Sequence, residues 1–236
     1  MMLDKITGWL DRLLEPGAFD DVSNNGLQIA REGGQVGKVA FAVDASLKSI
    51  EGAVRAGAQL LVVHHGISWG GGIRRLTQGE YKLVKAAMTG DLALYASHLP
   101  LDANREVGNN WELARLLGLK RIKRAFSYHG NIIGVTGYLD KAKEVTIGAR
   151  TWTVPAGKIG VCSGGAGEFA PAAKFLECAA FLTGEANWGE VIAAENVGMP
   201  LILAGHYETE TFGVRALARR LADELKLETV FIGREE

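Results

Sequence analysis

Residues 60–72 read LLVVHHGISWGGG, an uninterrupted apolar run that ends in two adjacent histidines and then a glycine. A continuous apolar run bounded by glycine predicts a fully buried strand of a parallel sheet, because helices cover both faces of such a sheet. Open α/β sheets bind their ligands at the carboxyl ends of the strands, so His64 and His65 stand where chemistry is expected. Along a regular strand the two imidazoles would point to opposite faces. They converge only if the strand ends at them, which Gly66 permits. The plainer alternative is one histidine packed under a helix and the other in solvent.

The flanking sequence fits this frame. Leu3, Ile6, Leu10, Leu13 and Leu14 form one apolar face between charges, an amphipathic helix ended by Pro16 and Gly17. The interleaved charges distinguish it from a signal peptide, which needs an unbroken apolar core. Turn formers Asp20, Asp21, Asn24, Asn25 and Gly26 precede a short strand over 27–30. A strand over 38–43 leads to Asp44, and Ser46 is a plausible N-cap for a helix reaching about residue 56. With the histidine strand this makes a βαβ unit. A helix over 80–89, a strand over 91–97 and a helix over 107–117 follow. The second half reads as strands over 131–139, 144–154 (interrupted) and 158–162, then a glycine-rich turn, SGGAG. Next come a helix over 171–178, a strand over 179–183, a helix over 188–196, a strand over 200–204, a helix over 208–225 and a strand over 229–232. VDAS–helix–LLVVHHG in the first half is echoed by LTGE–helix–LILAGH in the second. The fold class expected is α/β: two similar α/β lobes with mixed sheets facing a central cleft, an N-terminal lobe over 1–120 and a C-terminal lobe over 121–236.

Composition narrows the function. The chain has 236 residues and a formal net charge of −1, so nothing global points to nucleic acid or to an acidic membrane surface. Lys120, Arg121, Lys123 and Arg124 form one local basic cluster, and a solvated surface accounts for four such charges. The two cysteines, Cys162 and Cys178, lie too far apart for a CxxC motif and read as small buried hydrophobes of a reducing compartment. No apolar run approaches the roughly 20 residues that span a bilayer. A soluble, cytoplasmic protein is the expectation.

Three polar groups end predicted strands: His64 with His65, His98 with Asp102, and His206 with Glu210. They hold four of the chain's five histidines. His206 and Glu210 stand four apart at the start of the last helix, so both side chains share one face. Glu208 and Glu210 can also act as complements of the helix dipole. Asp102 follows Leu99-Pro100-Leu101, where the proline predicts an extended segment. Neutral imidazoles with carboxylates suit borderline divalent ions, Zn, Mn, Fe, Co or Ni. So few donors for two ions leave positions open to water or substrate, the mark of a catalytic rather than a structural site. Two dications against two carboxylates leave about +2, which favours an anionic or carbonyl-bearing substrate and a metal-activated hydroxide. The turn over 163–167 can cradle a phosphate, although it lacks both the Walker lysine and GxGxxG. Asn25, Trp69 and Asn109 are candidate substrate contacts.

Five motifs in order, DVSNNGLQ, VDAS, LVVHHG, SHLPLD followed by GNN, and GH with Glu four residues after the histidine, run over almost the whole chain. In these the sequence resembles the GTP cyclohydrolase 1 type 2 homolog family, the NIF-three-like di-metal proteins. The resemblance implies that His64, Asp102 and Glu210 hold one ion, that His65 and His206 hold the other, and that Glu210 bridges. It places His98 beside the metals as a proton shuttle, the one catalytic candidate that is not a ligand. Tyr207 stands where relatives can carry another histidine. The resemblance further implies two α/β lobes around a cleft, a homohexamer built as a trimer of dimers, and a small-molecule substrate that can be a nucleotide. The family's name implies GTP ring opening by hydroxide attack at the purine C8. The expected function is a di-metal-dependent hydrolase of a small anionic or heterocyclic substrate. The rival readings are a ring-shaped metal-binding scaffold or chaperone without turnover, and a nucleic-acid-associated ring.

Overall fold

The computed structural model describes residues 1–234. In chain order the helices are α1 Leu3–Leu14, α2 Leu47–Arg55, α3 Gln78–Thr89, α4 Leu99–Ala103, α5 Asn109–Leu117, α6 Ala170–Phe175, α7 Trp188–Val197 and α8 His206–Leu225. The strands are β1 Gly26–Ile29, β2 Lys38–Asp44, β3 Leu60–His65, β4 Ala93–Ala96, β5 Lys120–Tyr128, β6 Asn131–Leu139, β7 Lys143–Ile147, β8 Arg150–Val154, β9 Gly157–Val161, β10 Ala180–Thr183, β11 Leu201–Leu203 and β12 Glu228–Phe231. They form two compact units. One comprises Met1–Leu101 with Val214–Glu236 and the other Asp102–Gly213. The sequence suggests a cut after residue 120. The units instead divide near residue 101, and the chain's last segment returns to the first unit because β12 pairs in parallel with β2.

The sheet of the first unit runs β1-β4-β3-β2-β12. β3 lies between β2 and β4 and is parallel to both, while β1 closes one edge antiparallel to β4. Both faces are covered, which is why β2 and β3 read as continuous apolar runs. On one face Ala40, Ala42, Leu61, Val63, Leu94 and Ala96 pack with Ile50 and Ala53 of α2 and Ala87 of α3. Val39, Phe41, Val43, Leu60 and Val62 alternate to the other face and are equally buried. Burying a Leu, Ile or Val side chain contributes about 1.5–3 kcal/mol, so these two layers dominate the unit's stability. The apolar stripe of α1, Ile6, Leu10 and Leu14, is buried as its spacing predicts. The Tyr95 hydroxyl on β4 donates to Asp11 of α1 at 2.7 Å. Ser46 caps α2 as expected, accepting from the Ser49 amide while the Ser49 hydroxyl accepts from the Ser46 amide.

The second unit's sheet runs β11-β10-β9-β6-β5. β9, β10 and β11 are parallel; β6 is antiparallel to β9, and β5 to β6. Leu113 and Leu117 of α5, Val145, Ile147 and Val154 of the β7–β8 hairpin, and Val135, Ile159, Val161 and Leu182 of the sheet form one core. Phe126 lies 5.0 Å from Phe181 and 5.7 Å from Phe169 between ring centroids. Cys162 and Cys178 are buried free thiols. The basic cluster belongs to β5, an edge strand, where lysines and arginines deter pairing with another chain.

Both units thus contain three parallel strands in sequential order with helical crossovers, β2-α2-β3-α3-β4 and β9-α6-β10-α7-β11. The echo seen in the sequence is real but displaced by one strand. By position in the sheet, β4 with His98 after it corresponds to β11 with His206 after it. Among the described residues no helix is long and apolar enough to cross a membrane.

Candidate metal centre

β3 ends at His65, and there the two histidines converge. Their ring centroids are 4.6 Å apart, and the His98 ring lies 5.1 Å from His64 and 5.6 Å from His65. The convergence needs Gly66. A Cβ there would stand 2.3 Å from Oε1 of Gln28 and 2.6 Å from Cβ of Ala96. That close approach lets Gln28 accept from the amides of Ile67 and Ser68 and hold the turn after the strand. One ligand atom from each of His64, His65 and His98 lies within 4.8 Å of the others, a group that can hold a metal ion.

The second ring nitrogen of each histidine decides its chemistry. Nδ1 of His64 meets the Ser97 carbonyl at 3.0 Å, Nδ1 of His65 meets Asp44 at 2.8 Å, and Nδ1 of His98 meets Asp21 at 2.8 Å. A carbonyl or carboxylate oxygen only accepts, so Nδ1 carries the hydrogen and donates. In the neutral ring Nε2 then holds the lone pair, the arrangement by which metal-ligating histidines are oriented. Asp21 is itself held by the amides of Ser23 and Leu99 and the side chain of Asn25. Burial opposes its ionisation, but the bonds from His98, Asn25 and Ser23 outweigh it and bring its pKa down to about 2.

In the second unit, His206 is the first residue of α8 and Glu210 follows one turn later. Nε2 of His206 meets Oε1 of Glu210 at 3.1 Å, and Nδ1 meets Glu185, two residues beyond β10, at 2.9 Å. The hydrogen bond to Glu210 raises the His206 pKa to about 9 against the opposing effect of burial, with the charge of Glu210 and the Glu185 contact adding to it. The two carboxylates thus favour the protonated ring, and an ion held at Nε2 would have to displace the proton that faces Glu210. Glu210 is 3% exposed and Asp102 6%. Gly164, with φ +67°, makes room for Glu210: a Cβ there would stand 2.3 Å from its Oε1. Cys162, just before, has its thiol pushed up by burial first and then by the charges of Asp102, Glu168 and Glu210.

Of the predicted residues, His64, His65 and His98 gather in the first unit, and Asp102, His206 and Glu210 belong to the second. Three expectations are corrected. Asp102 lies in helix α4 rather than in an extended segment, because Pro100 stands in the first turn, where its missing N–H is not needed. The turn over 163–167 is no phosphate cradle: the amides of Ser163, Gly164 and Ala166 donate to Asn110, Thr209 and Thr183. Asn25 and Asn109 are framework. Asn25 accepts from the His98 amide and Asn109 is fully buried, whereas Trp69 borders the histidines, 5.2 Å from the His98 ring. The sequence alone does not single out Asp21, Asp44 and Glu185 as partners of the histidines. Each is an acidic residue at or beside a strand end or in a quoted motif, the one signal available.

The sequence profile of Duf34/NIF3 (NGG1p interacting factor 3) matches residues 1–236. A protein of Deinococcus radiodurans called GTP cyclohydrolase 1 type 2 homolog is 39% identical, over 97% of this chain and 92% of its own length. One of the same name from Pyrococcus horikoshii is 40% identical, over 97% of this chain and 96% of its own. The solved structure of a protein called ybgI, of unknown function, superposes with a TM-score of 0.87 at 28% identity, covering 100% of this chain and 99% of that one. The chain belongs to the Duf34/NIF3 family.

Proposed function

We propose that this chain is a di-metal-dependent hydrolase of a small anionic or heterocyclic substrate. The observation that carries the reading is the common fixing of Nδ1 in His64, His65, His98 and His206 by an acceptor. Four imidazoles oriented in one way, with buried carboxylates, form a donor set that suits borderline divalent ions. His64, Asp102 and Glu210 would hold one ion, and His65 and His206 the other, with Glu210 shared. Bound divalent ions would supply an activated water and polarise an electrophilic carbon or phosphorus. Asp44 and Glu185 hold the Nδ1 hydrogens of His65 and His206, so that Nε2 is the nitrogen left for an ion, at His206 once its second proton has gone. His98, its Nδ1 hydrogen held by Asp21, exchanges a proton at Nε2, and the Trp69 ring borders it. The name of the relatives makes GTP the first substrate to try.

Metal analysis of protein purified without added metal tests the reading. Roughly two ions per chain are expected in the wild type and far fewer in Glu210→Ala. With the identified metal, turnover of GTP or a related nucleotide is expected to vanish in His65→Ala while the circular dichroism spectrum is kept. A wild-type chain that carries no ion and takes up none on titration would sink the proposal.

A further inference from the structure

Asp102 is a buried carboxylate, and one of its two oxygens is saturated. Oδ1 accepts from the Asn109 side-chain amide at 2.9 Å and from the Ser163 hydroxyl at 3.0 Å. A carboxylate oxygen has two in-plane lone pairs, and these donors use both. Each donor is in turn fixed. Oδ1 of Asn109 accepts from the Gly213 amide at 2.6 Å, and a Cβ at Gly213 would collide with that oxygen. The Ser163 amide donates to Oδ1 of Asn110 at 2.6 Å, while Nδ2 of Asn110 donates to the Ile133 carbonyl on β6 at 2.9 Å. Asp102 is therefore oriented by a polar network anchored in α5, β6, the turn after β9, and α8. A buried network with every member satisfied is rigid.

We infer that Ser163 and Asn109 are positioning residues that make Asp102 a one-oxygen ligand, engaging Oδ1 themselves and assigning Oδ2 to the ion. The inference rests on the di-metal reading above. Partners that orient a ligand are worth roughly 10–100-fold in metal affinity. Loss of the Ser163 hydroxyl leaves a lone pair of Oδ1 open and allows the carboxylate to turn, so the effect falls on the ion that Asp102 holds.

The test is calorimetric titration of metal-stripped full-length protein with Mn2+, for wild type, Ser163→Ala and Ser163→Thr, with the melting temperature of each metal-free protein. Asn109 is fully buried and its removal can unfold the chain, so Ser163 carries the test. The expected result is two binding steps in the wild type. In Ser163→Ala one step weakens about tenfold or more and the other is unchanged, and Ser163→Thr restores the weakened step. Two steps in Ser163→Ala identical to those of the wild type would overturn the inference and leave the di-metal reading standing. So would equal weakening of both steps together with a lowered metal-free melting temperature, which marks a merely structural role. A wild type that shows no binding step overturns both readings.

Discussion

Asp21 shows how much one side chain can hold. Its side chain is 1% exposed and accepts from the amides of Ser23 and Leu99, the side chain of Asn25 and Nδ1 of His98, all between 2.8 and 3.0 Å. Burial alone would favour the neutral acid, yet these donors bring the carboxyl to about 2. The unfolded value is about 3.9, so the folded state prefers the ionised form. A depressed pKa contributes stability that is complete above pH ~4 and is lost as pH falls from ~4 towards 2. The gap corresponds to roughly 2 kcal/mol. Asp21→Asn is therefore expected to be about 2 kcal/mol less stable than wild type at pH 7, with the difference closing between pH ~4 and 2. Urea unfolding across that range measures it. A difference that stays constant with pH would show that Asp21 acts by shape rather than by charge.

Elements were legible where one period governed them. α1, β2, α2 and β3 follow from their apolar spacing, and the Ser46 cap from its residue type. β5 was not legible, because Lys120, Arg121, Lys123 and Arg124 hide the alternation of a strand that lies at the sheet edge. Pro100 misled because a proline that ends a helix and one that begins it look alike in sequence. The candidate site is legible as potential donors at and just after strand ends, His64, His65, His206 and Glu210. The anchors Asp44, Asp21 and Glu185 were not, because an acidic residue gains that role only by spatial proximity to an imidazole. Glycines separate in the same way. A Cβ on Gly66 collides with Gln28 and Ala96, whereas one on Gly79 in α3 meets nothing within 4 Å. Gly66→Ala is expected to cost about 1–3 kcal/mol by overpacking, whereas Gly79→Ala, in the first turn of α3, is expected to add at most about 0.5 kcal/mol through helix propensity. Chemical denaturation of the two variants decides it; equal effects would mean that the turn after β3 yields without cost.

At the scale of the whole molecule, the first unit is assembled from both ends of the chain. β12 joins β2 with Glu228 opposite Lys38 and Phe231 opposite Phe41. Val214, Leu217 and Leu221 of α8 are fully buried, and Trp9 of α1 donates to Glu224 at 2.8 Å. The second unit is one continuous stretch with its own five-stranded sheet and core. Continuity makes its contacts closable without the termini, whereas residues 1–101 alone leave β2 as an open edge and lack the buried positions of α8. An open apolar edge strand pairs with other chains rather than remaining single. A fragment of residues 102–213 is therefore expected to melt cooperatively, with an α/β circular dichroism spectrum. The fragment 1–101 should aggregate or stay unfolded until a peptide covering 206–236 is supplied. Thermal melts of both fragments, with and without the peptide, give the answer. If 1–101 melts cooperatively alone, the C-terminal strand and helix are ornaments of the first unit rather than part of its core.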